Sequence, residues 1–205
     1  LQAYVKDPAE QQELIDAITR VEPIRRKAEW ALTYFDTSLP FALRLVAFAC
    51  VEGIFFSGAF CSIFWFKHFR TGQLEALTFS NQLIARDEAL HTEFAVMLFH
   101  RLQSKPSEEV VREIVTQAVA LEECFVSDVL QVALIGMSAE LMSQYIRFVA
   151  DRLLTQLGYP KIYNATCPFQ FMEKQSMRVT SNFFENKVAE YALPPQGSFD
   201  TNSVF

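Results

Sequence analysis

The sequence predicts an all-α fold. Three observations carry that reading: apolar residues recur at helical spacing, proline and N-cap residues punctuate the chain at helix-length intervals, and no stretch alternates with period two for long enough to form a strand. The 205 residues are 51% apolar and 20% charged, which suits one domain with a sizeable core and excludes a disordered or low-complexity chain. No internal repeat and no Gly/Ser-rich linker divides it.

The first helix opens at Asp7-Pro8, an N-cap acid followed by a proline whose missing N–H is no loss in a first turn. Leu14, Ile15, Ile18 and Val21 continue it at helical spacing, and Pro23 restarts the chain into a helix carrying Trp30, Leu32 and Tyr34. Residues 41–69 read as one long helix with almost no polar face. After the polar break Arg70-Thr71-Gly72-Gln73, a further helix is predicted over 78–102. Lys105-Pro106-Ser107 is a joint, with Ser107 capping a helix that is amphipathic through Val110, Ile114, Ala118 and Leu121. A last helix spans 137–157 and ends at Gly158 and Pro160. After Tyr191 the helical period gives way to turn residues, so the expected organisation is a helical domain over 1–190 and a flexible tail over 191–205.

A net charge of -6 offers no electrostatic footprint for nucleic acid or for an anionic membrane surface. Cys50, Cys61, Cys124 and Cys167 lack metal-ligand spacing and read as reduced thiols of a cytoplasmic protein. Residues 1–17 carry charges and no apolar signal-peptide core.

Residues 45–66 contain a single charged residue, Glu52. By length and hydropathy this stretch could cross a bilayer. Burial inside a bundle is the preferred reading, because the flanking helices are amphipathic and a central carboxylate is costly in lipid. A buried carboxylate needs a compensating cation or a neutralising proton. No Lys or Arg lies between Arg44 and Lys67, but the next helix offers Glu88 and His91, three residues apart on one face. A Glu-x-x-His pair joined by a lone Glu from a neighbouring helix is how ferritin-like bundles hold paired metal ions. Carboxylate and imidazole together suit iron or manganese. The other reading is a solvated helical pair, since seventeen Glu and three His produce that spacing by chance often enough. His68 and His100 have no Glu three residues earlier and read as surface or helix-end histidines.

The stretch Val51-Glu-Gly-Ile-Phe-Phe-Ser-Gly58, followed by Ser80-Asn-Gln-Leu-Ile-Ala-Arg-Asp-Glu-Ala-Leu-His91, resembles the small subunit of class I ribonucleotide reductase of the eukaryotic type. Tyr4-Val-Lys-Asp-Pro8, Lys27-Ala-Glu-Trp-Ala31, Leu134-Ile-Gly-Met137, Tyr145-Ile-Arg-Phe-Val-Ala-Asp-Arg-Leu153 and Asn182-Phe-Phe-Glu185 extend the resemblance over nearly the whole chain. It implies the C-terminal part of a ferritin-like helical bundle. Glu52, Glu88 and His91 would be the metal ligands contributed by the second half of a di-iron site, with two Fe ions per complete chain, or Mn in their place. Phe56, Phe60 and Ile84 would form the apolar pocket that shields a tyrosyl radical from water and reductants; the other reading is plain core packing, and both can hold at once. Asp87 matches a carboxylate that hydrogen-bonds a metal-ligating histidine across the site and continues the radical path. Tyr191 matches the tyrosine that relays the oxidising equivalent. Phe199 and Phe205 match aromatic anchors by which family tails dock on the large catalytic subunit, although Asp200 is the only acid of this tail.

The activity implied is reduction of ribonucleoside diphosphates to deoxyribonucleotides by a cytoplasmic small-subunit dimer acting with the large subunit. The family's first metal-helix pair and its radical tyrosine would precede Leu1. Tyr4, Trp30 and Tyr34 lie outside that motif and nothing in residues 1–40 replaces it, so the fragment alone is expected to be inactive. The rival readings are another ferritin-like di-iron oxidase or iron-handling protein, a catalytically silent paralogue acting as a structural partner, and a membrane protein.

Overall fold

The structure, a computed structural model, describes residues 5–128 and 136–173. Among them are eight helices and no strand: α1 (Pro8–Ile15), α2 (Ala17–Arg20), α3 (Glu22–Thr33), α4 (Phe41–Gly53), α5 (Ser57–Phe69), α6 (Glu75–His100), α7 (Glu108–Asp128) and α8 (Ala139–Leu157). The all-α expectation holds. Tyr191, Phe199 and Phe205, with the whole 191–205 tail, lie outside the described residues.

The caps act as their chemistry requires. Asp7 accepts the N–H of Ala9 at 2.9 Å, with Pro8 in the first turn. Ser138 accepts the N–H of Leu141 at 3.2 Å. The Ser107 carbonyl takes the N–H of Val111 at 3.2 Å as α7 begins. Leu74 adopts the left-handed region at φ 55°, which closes the polar turn and starts α6 three residues earlier than the spacing predicts. Gly158 ends α8 at φ 87°, where a Cβ would meet only the His100 ring at 3.8 Å. The cost of Gly158→Ala is therefore backbone strain rather than a clash. We expect a loss of about 1 kcal/mol in the urea-unfolding free energy.

Two sequence expectations need correction. The first helix does not run through Val21, because the chain turns at Asp16 between α1 and α2. Leu14, Ile15 and Ile18 have helical spacing but are 50%, 60% and 58% exposed, since nothing among the described residues packs on that face. The long helix over 41–69 is also broken, at residues 54–56. There the Phe55 N–H reaches back five residues to the Cys50 carbonyl (3.3 Å), while the Ser57 N–H reaches only three, to Ile54 (3.0 Å). Length and hydropathy alone would still let 41–69 cross a membrane, yet 56% of its most apolar window is buried inside the bundle. Burial accounts for its composition.

The two halves of that segment form the middle of the bundle. α4 packs chiefly on α6, with α7 and α8 also against it, and α3 lies on α7. Val46, Cys50, Ile54, Val115, Ile146 and Leu154 are fully enclosed in one apolar cluster. The four thiols are unbridged. Burial pushes those of Cys50 and Cys61 well up, so both serve as small apolar side chains.

Candidate metal centre

The site forms where the end of α4 crosses α6. Gly53 allows the approach: a Cβ there would stand 3.3 Å from the Thr92 methyl carbon. The Thr92 hydroxyl in turn donates to the Glu88 carbonyl at 3.0 Å. Glu52, next to Gly53, is thereby brought against the Glu88–His91 face. His91 Nδ1 lies 3.0 Å from Glu88 Oε2 and 3.3 Å from Glu52 Oε2. One ligand atom from each of the three residues falls within 4.8 Å of the other two. The Glu52 and Glu88 side chains are 15% and 21% exposed, whereas that of His91 is 55% exposed.

Close anionic neighbours in a half-desolvated place cannot both stay ionised at no cost. Burial, followed by the hydrogen bond and repulsion from Glu88, pushes the Glu52 carboxyl up to about 7. Glu88, accepting from Glu52, is held below the ordinary carboxylate range. His91 is raised by its bonds to Glu88 and then Glu52. Protons thus do the neutralising, and a divalent cation among the same oxygens and nitrogen would do it better. Two carboxylates and an imidazole fit iron or manganese. A cavity of about 190 Å³ adjoins the site, with Glu52, Phe60, Glu88, Thr92, Tyr145 and Arg152 in its wall.

The structure brings together Glu52, Glu88, His91 and Phe60. Among the described residues, Phe56, Ile84 and Asp87 stand apart from that cluster. The Phe56 ring packs 6.0 Å from that of Phe60 but is 40% exposed, and Ile84 is 47% exposed. Asp87 points outward beside Arg86, with 3.5 Å between their charged atoms. In one unbroken helix, Phe56 and Phe60, four and eight residues after Glu52, would share its face. With the break at 54–56 the register changes, and Phe60 alone of the two lines the cavity. His68 and His100 are exposed at helix ends, His100 with Nε2 2.7 Å from the Gln156 carbonyl.

Sequence reasoning also passed over the most deeply buried carboxylates. Glu122 is fully enclosed, more so than Glu52, and is paired with Lys27. Burial pushes the Glu122 carboxyl up to about 7 against the opposing pull of Lys27. A signal for it exists: the α7 stripe of Ile114, Val115, Ala118 and Val119 runs on through position 122, placing an acid where an apolar residue is due. Its partner stands 95 residues away, beyond any local spacing. Asp151, 1% exposed, accepts three backbone N–H groups from the segment after α8.

Comparison with known proteins places this geometry in context. The family profile described as "Ribonucleotide reductase, small chain" matches residues 1–168. The chain is 50% identical over 212 residues to a ribonucleoside-diphosphate reductase small chain of Arabidopsis thaliana, covering 100% of this chain and 63% of that protein. It is 53% identical over 192 residues to the ribonucleoside-diphosphate reductase small chain of Neurospora crassa, covering 93% of this chain and 46% of that protein. Among solved structures, the ribonucleotide reductase Rnr4 homodimer from Saccharomyces cerevisiae matches with a TM-score of 0.70 at 36% identity, over 87% of this chain and 54% of that one. The chain therefore spans 46% to 63% of the length of these two curated relatives.

Proposed function

This chain belongs to the ribonucleotide reductase small-chain family, and on that premise we propose that Glu52, Glu88 and His91 bind iron in a full-length small subunit of ribonucleoside-diphosphate reductase. The fold is the ferritin-like helical bundle of that family. The observation that carries the proposal is the convergence of three ligand atoms from two helices within 4.8 Å of one another.

The roles follow from placement. Glu52 and Glu88 supply anionic oxygens and His91 supplies Nδ1, with Glu52 giving up its proton as the cation enters. Three side chains cannot fill the coordination spheres of two ions, so the remaining ligands come from elsewhere in the full-length protein and this chain alone is inactive. A bound iron pair, or manganese in its place, supplies the oxidising power by which a tyrosine becomes a radical. Phe60, in the cavity wall, keeps water from that radical, and Phe56 and Ile84, exposed on this chain, join it where the rest of the assembled protein covers them. Asp87 orients a metal-ligating histidine across the site and carries the oxidising equivalent onward, Tyr191 relays it, and Phe199 and Phe205 dock the tail on the large subunit, where ribonucleotides are reduced. The small subunit acts as a cytoplasmic dimer. Exposed Phe48, Ile84, Leu90 and Phe94 on α4 and α6 support a further covering layer in the assembled protein.

Metal analysis with low-temperature paramagnetic resonance on the full-length protein tests this reading. Two irons per chain with a tyrosyl signal are expected, and a protein that takes up neither iron nor manganese overturns it. The affinity should also depend on pH with a definite sign. Glu52 is raised to about 7, so below that pH an entering cation must displace its proton. His91, also raised, must lose its proton to offer Nδ1, so Mn(II) affinity should climb at least about tenfold per pH unit and flatten only once both groups are deprotonated. A level profile between about pH 5.5 and 7 would contradict the role given to Glu52.

A further inference from the structure

The break between α4 and α5 is spanned by an ion pair that the metal centre does not use. Lys27, on α3, lies 2.6 Å from Glu122 Oε2 and also donates to the Phe55 carbonyl. Glu122, on α7, accepts the Gly58 N–H through Oε1 at 2.9 Å. The Lys27 ammonium stands 4.2 Å from the centre of the Phe125 ring and 5.0 Å from that of Phe55. Its side chain is 13% exposed and that of Glu122 is 0% exposed. Trp30, one turn along α3, bonds Gln117 of α7 at 2.9 Å and sets its ring 5.2 Å from that of Phe55.

The choice of backbone atoms matters. In an unbroken helix the Gly58 N–H would bond the Ile54 carbonyl, and the Phe55 carbonyl would accept from the Ala59 N–H. The break frees that donor and that acceptor inside the bundle, where unpaired backbone groups are costly. Glu122 takes the donor and Lys27 takes the acceptor. A buried ion pair is poor evidence for stability, because apolar residues of similar volume often serve as well or better. Matching two freed backbone atoms is a more specific task.

We propose that Lys27 and Glu122 are positioning residues: a clasp from α3 and α7 that holds the α4–α5 segment in its broken form, ending α4 just after Glu52 and turning Phe60 into the cavity that Glu52 and Glu88 line. The proposal deepens the metal-centre reading and rests on it for its link to Glu52.

The test uses the full-length protein with Lys27→Met and Glu122→Leu combined, so that neither charge is left buried alone. Mn(II) affinity, followed by the paramagnetic signal of the free ion, is expected to fall about tenfold or more, the range found for groups that orient ligands. Amide exchange at residues 56–60 is expected to accelerate about tenfold, with α7 and α8 keeping their protection. Lys27→Met with Glu122→Gln, which leaves no buried charge and retains an acceptor for the Gly58 N–H, should restore much of that protection. Val115→Ala serves as the control for lost stability alone and should bind Mn(II) like the wild type. Wild-type affinity in the double variant with Glu122→Leu overturns the link to Glu52. Unchanged exchange at 56–60, or exchange that rises evenly through every helix, overturns the clasp. A wild-type protein that takes up no Mn(II) overturns the metal-centre reading alone, since the exchange pattern still decides whether the clasp holds the break.

Discussion

Glu52→Ala in the full-length protein is expected to weaken Mn(II) or Fe(II) binding by at least about 100-fold, because loss of a ligand should match or exceed the 10–100-fold cost of losing a group that merely orients one. The same change should leave the thermal midpoint of the metal-free protein unchanged or raised. The reason is electrostatic: burial and the neighbouring Glu88 already disfavour the ionised form of Glu52, so its removal relieves a penalty in the absence of a cation. Glu52→Gln separates charge from shape. It keeps the volume and one acceptor oxygen but cannot become anionic, and it should lose nearly as much affinity as alanine does. A metal titration beside a thermal melt reads both quantities. Undiminished affinity in either variant would remove Glu52 from the metal centre.

The largest effect on stability is expected at Asp151. Its Oδ1 accepts the N–H groups of Ile162 and Tyr163 and its Oδ2 that of Ala165, all at 2.9 Å. The carboxylate folds the segment after α8 back over that helix, so that Phe169 and Met172 reach the core. Asp151→Ala leaves three donors without a protein acceptor, each worth about 1–3 kcal/mol if it stays dry. Part of the segment can turn to water, so a loss of about 3–5 kcal/mol in urea unfolding is expected. Asp151→Asn should cost less, because its carbonyl oxygen still serves two donors while its amide faces the third. A loss below about 1 kcal/mol for the alanine variant would show that the carboxylate does not hold this segment.

Much of the architecture was legible because its signals are local. Asp7-Pro8, Ser107 and Gly158 act on atoms within four residues of themselves, and each marks a helix end in the structure. The α7 stripe could be read from spacing alone, since a helix that buries one face must repeat its apolar residues at the helical period. Local spacing also misled. Leu14, Ile15 and Ile18 have the right period but meet no partner surface among the described residues, and period alone does not say whether a partner exists. Residues 41–69 are apolar on all sides, so their pattern carries no phase in which a break could show.

The candidate centre divides in the same way. Glu88 and His91 share a helical face by geometry that any three-residue spacing dictates, and the unpartnered charge of Glu52 announced itself within an apolar run. That their atoms meet within 4.8 Å required the α4–α6 crossing over Gly53. Glu122 stood in plain view in a core stripe, but its partner lies on a helix 95 residues earlier.

By itself the sequence determined the helical class, the helix ends marked by Asp7, Ser107 and Gly158, and the two fragments that carry the candidate metal-binding donors, because each depends on interactions spanning a turn or less. Only the tertiary structure decided where the long apolar segment breaks, which carboxylate is most deeply buried and which phenylalanine faces the cavity. Those outcomes turn on pairing backbone and charge across helices distant in sequence, and the energy of such pairing is set by burial, which no local pattern encodes.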